Sequence, residues 1–300
     1  MKRKIALALG SGGARGFCHI GAIRALEEAG IKPEIICGTS MGALVGAAYA
    51  SGVLSELEDL VTSFTQMSVT RFADINLASG GLIEGHVLAR QLRELGFRES
   101  FDMLDLPFLA VASDLFGARE IWLQEGDLVT AVRASVAIPG IVSPIFHEGR
   151  WLMDGGMTNP VPVSACRALG ADIVIAIEPN SRLFADRAYL QPPERKQGGF
   201  DIAGLVKAAP KILQPYLHSL RADEKEQSPK APGYFTVLSA SIDLMTDQIR
   251  RSRMAGEPPH VMVHANLNHL TILDFHRAND AIKEGYRAMA DALDDLKFYL

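Results

Sequence analysis

A serine flanked by glycines lies near the start of the chain, in the run Gly38-Thr39-Ser40-Met41-Gly42. A short apolar stretch typical of a strand precedes the run, and small residues typical of a closely packed helix follow it. Gly-x-Ser-x-Gly at a strand-to-helix turn is the nucleophile elbow, in which a tight turn projects the serine hydroxyl away from the sheet. The two glycines approach each other across that turn, where Cβ atoms would collide. This context favours a nucleophilic Ser40 over a serine that only caps the helix.

A serine hydroxyl needs a base to become a nucleophile, and in the common triad that base is a histidine held by an acid. None of the eight histidines lies in a motif that resembles a catalytic-histidine loop: His19, His86, His147, His218, His260, His264, His269 and His276. Asp154 is a better candidate, because Gly155 and Gly156 after it allow a sharp turn that leaves the carboxylate exposed. A Ser-His-Asp esterase remains the alternative.

A second glycine-rich run, at residues 10–16, also follows an apolar stretch. It is not a dinucleotide loop, which needs the pattern Gly-x-Gly-x-x-Gly. If the pattern starts at Gly10, then Arg15 stands in place of the third glycine, and if it starts at position 11, then Ser11 stands in place of the first. It is not a P-loop, because no Gly-Lys-Ser/Thr follows. Such a loop can instead bind an anionic intermediate through successive backbone N–H groups. The candidate donors are the N–H groups of Gly12, Gly13, Ala14 and Arg15.

Composition narrows the class of protein. Of the 300 residues, 48% are hydrophobic and 22% are charged, which predicts a sizeable core and excludes global disorder. The net charge of -5 and the lack of basic runs argue against nucleic acid as a partner. The three cysteines lack CxxC spacing, which indicates reduced thiols in a cytoplasmic protein without a zinc site. The uncharged run at 35–55 is glycine-rich and is interpreted as a buried strand, turn and helix, not a membrane span.

Strands and helices alternate along the chain, which predicts an α/β protein with a mostly parallel sheet and helices on both sides. Strands are expected at residues 4–9, 34–37, 108–113, 120–123, 151–153, 172–177 and 261–265. Helices are expected at 17–29, 41–50, 54–66, 84–95, 130–135, 161–169, 239–254 and 277–296. The proline-rich residues 181–232 are expected to form an insertion with a helix near 205–220. The apolar stripe of this helix suits a lid that touches a membrane. It also suits a face that packs on the core or in an oligomer interface.

The three motifs at residues 10–16, 38–42 and 154–156, in this order and spacing, resemble the patatin-like phospholipase family. Residues 134–144 look like a further Pro-Gly block of that family, so that the resemblance covers about residues 4–180. The stretch 270–289 is similar to the bacterial branch related to neuropathy target esterase. Ser11 is a departure, because many members have a third glycine there.

The resemblance implies a three-layer α/β/α patatin-like fold as one domain over residues 1–300, with a catalytic core, the insertion at 181–232 and a C-terminal part from 233. It implies a Ser-Asp dyad in which Ser40 is the nucleophile and Asp154 the proton acceptor. It also implies that the N–H groups of Gly12, Gly13, Ala14 and Arg15 form the oxyanion hole. The glycines that shape these turns are Gly10, Gly16, Gly38, Gly42, Gly155 and Gly156.

The implied reaction is hydrolysis of fatty acyl esters such as phospholipids or lysophospholipids, with no cofactor and no metal. Transient contact with the inner membrane surface and homo-oligomerisation stay open. So do two rivals from another class, which are a non-catalytic lipid-binding or regulatory protein on the same fold and a nucleotide-binding protein. Arg15 suits either a substrate phosphate or an acidic partner within the protein.

Overall fold

A mixed sheet forms the centre of the computed structural model, which describes residues 3–65, 83–180 and 233–300. Within these ranges the sheet has eight strands. They are β1 Ile5–Leu9, β2 Ile35–Thr39, β3 Phe108–Asp114, β4 Arg119–Leu123, β5 Ile145–His147, β6 Arg150–Asp154, β7 Ile173–Glu178 and β8 Val261–His264.

Five of these strands run parallel in the order β3-β2-β1-β7-β8. Strands β1, β2, β3 and β7 are buried along their whole length, which explains why they appear in the sequence as uninterrupted apolar runs. The carboxyl ends of the parallel strands lie at one edge of the sheet. The glycine-rich loop after β1 and the turn after β2 therefore meet there.

The antiparallel strands are arranged around β3 in a way that determines where Asp154 lies. Ala110 pairs with Gly38 of β2 and also with β4, so these two strands lie on opposite sides of β3. Ala112 pairs with Asp154 of β6 and also with β4, so β6 lies opposite β4 too. Strand β6 therefore continues alongside β3 on the side where β2 ends. Ser40, just after β2, and Asp154, at the end of β6, approach each other from opposite directions.

Helices cover both faces of the sheet, which confirms the predicted α/β fold with a mostly parallel sheet. Alternate residues of β1 separate the layers: Leu7 packs in a core cluster with helices on one face, whereas Ala8 packs with the helix at Val163–Ala168 on the other. The helices are α1 Cys18–Glu28, α2 Met41–Ala50, α3 Leu54–Thr62, α4 His86–Glu94, α5 Leu128–Ser135, α6 Val163–Ala168, α7 Tyr234–Gly256 and α8 Ala278–Lys297.

Most element boundaries agree with the sequence predictions, and the differences fall at ends and turns. The helix expected from residue 54 to 66 ends at Thr62, and α7 is longer at both ends than the predicted 239–254. The short strand β5, which forms a hairpin with β6, was not predicted. The insertion at 181–232 and its helix near 205–220 lie outside the described residues. None of the helices in the described ranges has the length and apolar character needed to cross a bilayer.

Candidate active site

Ser40 occupies a strained turn between β2 and α2. Its backbone has φ 56° and ψ −123°, a positive φ that non-glycine residues rarely adopt. A Cβ added to Gly38 would lie 2.4 Å from the carbonyl oxygen of Gly42, and one added to Gly42 would lie 2.1 Å from the oxygen of Leu9. Both positions must therefore be glycine for the turn to form. The Ser40 N–H donates to Ser135 Oγ at 2.8 Å, which anchors the turn to α5.

The serine hydroxyl and the Asp154 carboxylate are hydrogen-bonded. Ser40 Oγ donates to Asp154 Oδ2 over 2.5 Å, and both residues are buried. The other oxygen, Asp154 Oδ1, accepts from the Gly156 N–H at 2.7 Å. A Cβ on Gly155 would lie 2.2 Å from the carbonyl oxygen of Val111, so the chain can turn there only as glycine. The two distant motifs are thus brought within one hydrogen bond of each other.

Burial changes the acidity of this carboxyl group. Desolvation raises the pKa of Asp154 from 3.8 to about 6, although the hydrogen bonds from Ser40 and Gly156 oppose the shift. A carboxylate with a pKa near 6 is a stronger base than an ordinary aspartate and is still ionised at neutral pH. No cationic side chain is among the causes of this shift.

The glycine-rich loop after β1 passes close to other backbone segments. Gly13 has φ 54°, and a Cβ there would lie 2.4 Å from the carbonyl oxygen of Ile272. A Cβ on Gly16 would lie 2.5 Å from that of Met41, so the loop packs directly on the first turn of α2. Ser11, where many patatin-like sequences have glycine, is not among the residues with positive φ. Its side chain therefore causes no backbone strain.

The four candidate oxyanion donors do not behave alike. The Ala14 N–H donates to Ile272 O at 2.9 Å, and the Arg15 N–H donates to Gly12 O at 3.2 Å. The N–H groups of Gly12 and Gly13 make no hydrogen bond with any described residue. Both glycines line the same cleft as Ser40 and Asp154. Of the four predicted donors, Gly12 and Gly13 are thus the two that remain available to a ligand.

The cleft has an apolar part and a polar part. Its apolar lining consists of Ile138, Pro139, Met157, Ile242 and Ile272. Its polar lining, apart from the dyad, consists of Ser11, Asn180, Asp243 and Thr246. Of all the lining side chains, Ile242, Asp243 and Thr246 come from α7. An apolar chain and a small number of polar contacts suit such a cleft.

Arg15 is occupied by an acid of the protein itself. The side chain is 1% exposed, and its Nη2 donates to Asp243 Oδ1 on α7 over 2.5 Å. The sequence left two roles open for Arg15, which were binding a substrate phosphate and pairing with an acid of the protein. The structure shows the second role. Further along α7, Arg250 forms ion pairs with Glu178 and Asp247, each at 2.6 Å. Sequence reasoning missed these acids, for which the only signal was a spacing that places Asp243, Asp247 and Arg250 on one helical face.

The histidines that the structure describes lie outside the cleft of the dyad. His19 is fully buried, its Nε2 donates to the carbonyl oxygen of Gly10 at 2.7 Å, and burial lowers its pKa to about 4. It therefore holds the start of the glycine-rich loop as a neutral ring. No histidine is among the described residues that line the cleft. His218 lies outside the described ranges. Those ranges also contain no group of three or more side chains arranged to bind a metal ion.

Comparison with known sequences places this site in a family. The family model of patatin-like phospholipases matches residues 7–167, more than half of the chain. The chain belongs to the patatin-like phospholipase family. It is therefore an enzyme of the lipid ester hydrolase class, and the resemblance predicted from the three motifs is confirmed.

Relatives and a solved structure extend the comparison. An NTE family protein of Mycobacterium tuberculosis is 33% identical over 97% of this patatin-like chain and 91% of its own length. A protein named lysophospholipase NTE1 from Pyricularia oryzae is 28% identical over 98% of this chain but only 19% of its own length. The crystal structure of VipD from Legionella pneumophila superposes with a TM-score of 0.50 at 14% identity, covering 98% of this chain and 67% of that one. This last likeness concerns the patatin fold alone.

Proposed function

We propose that this protein hydrolyses fatty acyl esters of phospholipids or lysophospholipids through a Ser40–Asp154 dyad and an acyl-enzyme intermediate. The observation that carries the proposal is the 2.5 Å hydrogen bond from Ser40 Oγ to Asp154 Oδ2. It lies in a cleft that also contains the N–H groups of Gly12 and Gly13, which have no other partner among the described residues. A nucleophile, a base and donors for an anion therefore share one site.

In the first half of the reaction Ser40 Oγ attacks the ester carbonyl carbon while its proton passes to Asp154 Oδ2. The carbonyl oxygen becomes an oxyanion, and the N–H groups of Gly12 and Gly13 stabilise it. When the tetrahedral intermediate collapses, the alcohol leaves with the proton from Asp154 and the acyl group stays on Ser40. In the second half, water attacks the acyl-enzyme while Asp154 accepts its proton. The second tetrahedral intermediate then collapses, Asp154 returns the proton to Ser40 Oγ as the bond to the acyl group breaks, and the fatty acid is released.

Three features of the site compensate for the weakness of a carboxylate as a base. Burial brings the pKa of Asp154 to about 6, closer to that of the groups that commonly serve as general bases near neutral pH. Each preorganised N–H donor to an oxyanion is typically worth about 3–4 kcal/mol of transition-state stabilisation. The positive end of α2, which begins at Met41, adds to the field at the serine oxygen.

The lining of the cleft supports a lipid substrate. Five apolar side chains, from Ile138 to Ile272, surround the approach to Ser40 and suit a hydrocarbon chain. The proteins named lysophospholipase NTE1 in Coccidioides immitis and Pyricularia oryzae are 34% identical over 59% of this chain and 28% identical over 98% of it, respectively. A lysophospholipid is therefore the first substrate to test.

The test compares wild type with Ser40→Ala for release of fatty acid from lysophosphatidylcholine and from phosphatidylcholine vesicles. We expect the variant to lose at least about a thousand-fold in kcat, because it lacks the nucleophile. A fluorophosphonate probe should label wild type and not Ser40→Ala. Equal hydrolysis by both proteins would refute the nucleophile assignment, and a lack of labelling in wild type would favour a non-catalytic lipid-binding protein.

A further inference from the structure

The Arg15–Asp243 ion pair lies next to the peptide group that supplies one of the proposed oxyanion donors. Gly12 O and Gly13 N belong to the same peptide, which is planar and trans, so its C=O and N–H point in opposite directions. Gly13 lines the cleft, and the direction of its N–H is therefore set by whatever holds the Gly12 carbonyl.

Arg15 holds that carbonyl twice. Its backbone N–H donates to Gly12 O at 3.2 Å, and its side-chain Nε donates to the same oxygen at 3.4 Å. On the following peptide, the Ala14 N–H donates to Ile272 O at 2.9 Å. The peptides on both sides of Gly13 are thus restrained, and one of these restraints is a side chain that can be altered without touching the loop backbone.

Asp243 in turn determines where the guanidinium group lies. The Arg15 side chain is 1% exposed and the Asp243 side chain is 17% exposed, so water screens their attraction weakly. The carboxylate comes from α7, 228 residues away along the chain. A buried guanidinium that loses its only side-chain acceptor among the described residues moves towards another acceptor or towards water.

We infer that Asp243 is a positioning residue for the oxyanion hole, acting through Arg15 on the peptide between Gly12 and Gly13. The inference rests on the proposed function, because it assigns a role in the same hydrolysis. Its consequence is specific: loss of the carboxylate weakens stabilisation of the transition state and leaves binding of the ground-state ester largely unchanged.

The experiment measures kcat and KM for lysophosphatidylcholine in wild type, Asp243→Asn and Asp243→Glu. A small displacement of a catalytic group can cost about a hundred-fold, so we expect Asp243→Asn to lower kcat about 10- to 100-fold with KM within about two-fold. Asp243→Glu keeps the charge and should lose less of kcat. It also serves as the test variant if Asp243→Asn does not fold. A rise in KM with unchanged kcat would overturn the inference, since it would mean that Asp243 contacts the substrate directly.

A matched control on the same helix separates positioning from general stability. Asp247 is also buried and ion-paired, to Arg250 and Arg251, but has no hydrogen bond to the loop. Asp247→Asn should therefore keep kcat within about two-fold when assayed well below its unfolding temperature. An equal loss of kcat in both variants would show that α7 acts only as structural support.

A double variant tests the route through Arg15. If Asp243 acts through Arg15, then Arg15→Gln with Asp243→Asn should have the same kcat as Arg15→Gln alone, whereas multiplied losses would overturn the inference. Ser40→Ala distinguishes a failure of the proposed function from a failure of the role of Asp243. If it retains hydrolysis, then the proposed function fails. If it abolishes hydrolysis and Asp243→Asn behaves as wild type, then only the role of Asp243 fails.

Discussion

On one side of the cleft the chain presents backbone and glycine, and the other side is formed by helix α7, which buried ion pairs hold in place. The backbone side comprises the loop at 10–16, the turn around Ser40 and the turn after Asp154, where Cβ atoms added to the glycines would fall 2.1–3.0 Å from the nearest neighbouring atoms. The helix side carries Asp243, paired with Arg15, and Asp247, paired with Arg250. Close steric approach shapes the first side, and electrostatic attraction between buried charges positions the second.

The two kinds of construction should respond differently to pH. A steric clash between backbone atoms is the same at every pH. The cost of an unpaired carboxylate disappears once that carboxylate is protonated. Variants on the two sides of the cleft should therefore be distinguishable by measuring stability across a pH range.

The largest effect on turnover is expected from a change in the dyad itself. Asp154→Asn should lower kcat about a thousand-fold, because an amide cannot accept the Ser40 proton and general-base catalysis is typically worth 10²–10⁴-fold. In wild type, kcat/KM should fall about ten-fold per pH unit below about pH 6, where Asp154 becomes protonated. Both are measured as initial rates of fatty acid release. Unchanged turnover in Asp154→Asn would transfer the role of base to a histidine.

Stability of the backbone side is tested with Gly42→Ala. The new Cβ would lie 2.1 Å from the carbonyl oxygen of Leu9, so the elbow must distort, and we expect a loss of about 3 kcal/mol or more in the free energy of unfolding at any pH. The matched control is Gly256→Ala on α7, where no atom lies within 4 Å of the added Cβ. Denaturant unfolding should show the control unchanged or slightly stabilised. A tolerated Gly42→Ala would mean that the turn is looser than described.

Stability of the helix side is tested with Arg250→Met. The change leaves Glu178, which is 1% exposed, without its cation, and breaking such a buried pair typically costs about 3–5 kcal/mol. Burial already raises the pKa of Glu178, so it takes up a proton readily as pH falls. Unfolding curves should therefore show a smaller loss at pH 5 than at pH 8. Arg251→Met, which removes a 57% exposed partner of Asp247, should cost at most about 1 kcal/mol.

A smaller effect of opposite sign is expected for the stability of Asp154→Asn. The folded pKa of Asp154 is about 6 against an ordinary 3.8, so its contribution to stability is fully present below pH 3.8 and is lost as pH rises through 6. At pH 8 the variant should be more stable than wild type by up to about 3 kcal/mol, since each unit of pKa difference corresponds to about 1.4 kcal/mol. The difference should vanish near pH 4. A variant less stable than wild type at pH 8 would contradict the raised pKa.

The backbone side of the site was largely predictable from the sequence. The serine elbow requires glycine at a fixed spacing, because Gly38 and Gly42 approach each other across the turn, and the glycine-rich loop likewise concentrates its glycines within seven residues. The alternation of strands with helices likewise predicted the parallel sheet. The spacing within each motif is local, so a single sequence records it, although Gly42 and Gly13 also approach Leu9 and Ile272, which are distant along the chain.

The helix side was not predictable for the converse reason. Nothing near Asp243 in the sequence indicates that it lies beside Arg15, because the contact joins residues 228 positions apart. The loss of two candidate oxyanion donors was not predictable either. The Ala14 N–H is occupied by the carbonyl oxygen of the distant Ile272, and the Arg15 N–H is occupied by Gly12 O within the turn. Such pairings follow from the tertiary fold, whereas propensity and periodicity describe neighbours along the chain.

Strand β3 acts as a common template for both halves of the dyad, since β2 pairs with its first residues and β6 with its last. Because side chains alternate between the faces of a strand, a shift of β6 by one residue along β3 would turn the Asp154 carboxylate to the opposite face, away from Ser40. The chain between β4 and β5 takes no part in this strand pairing, but it holds both turns of the dyad. Ser135 Oγ accepts from the Ser40 N–H, and the Ala137 carbonyl oxygen accepts from the Asp154 N–H. Because Ile138 and Pro139 of the same segment line the cleft, an insertion there would disturb the dyad together with the apolar lining, so that the shape of the cleft and the chemistry are coupled in this part of the enzyme.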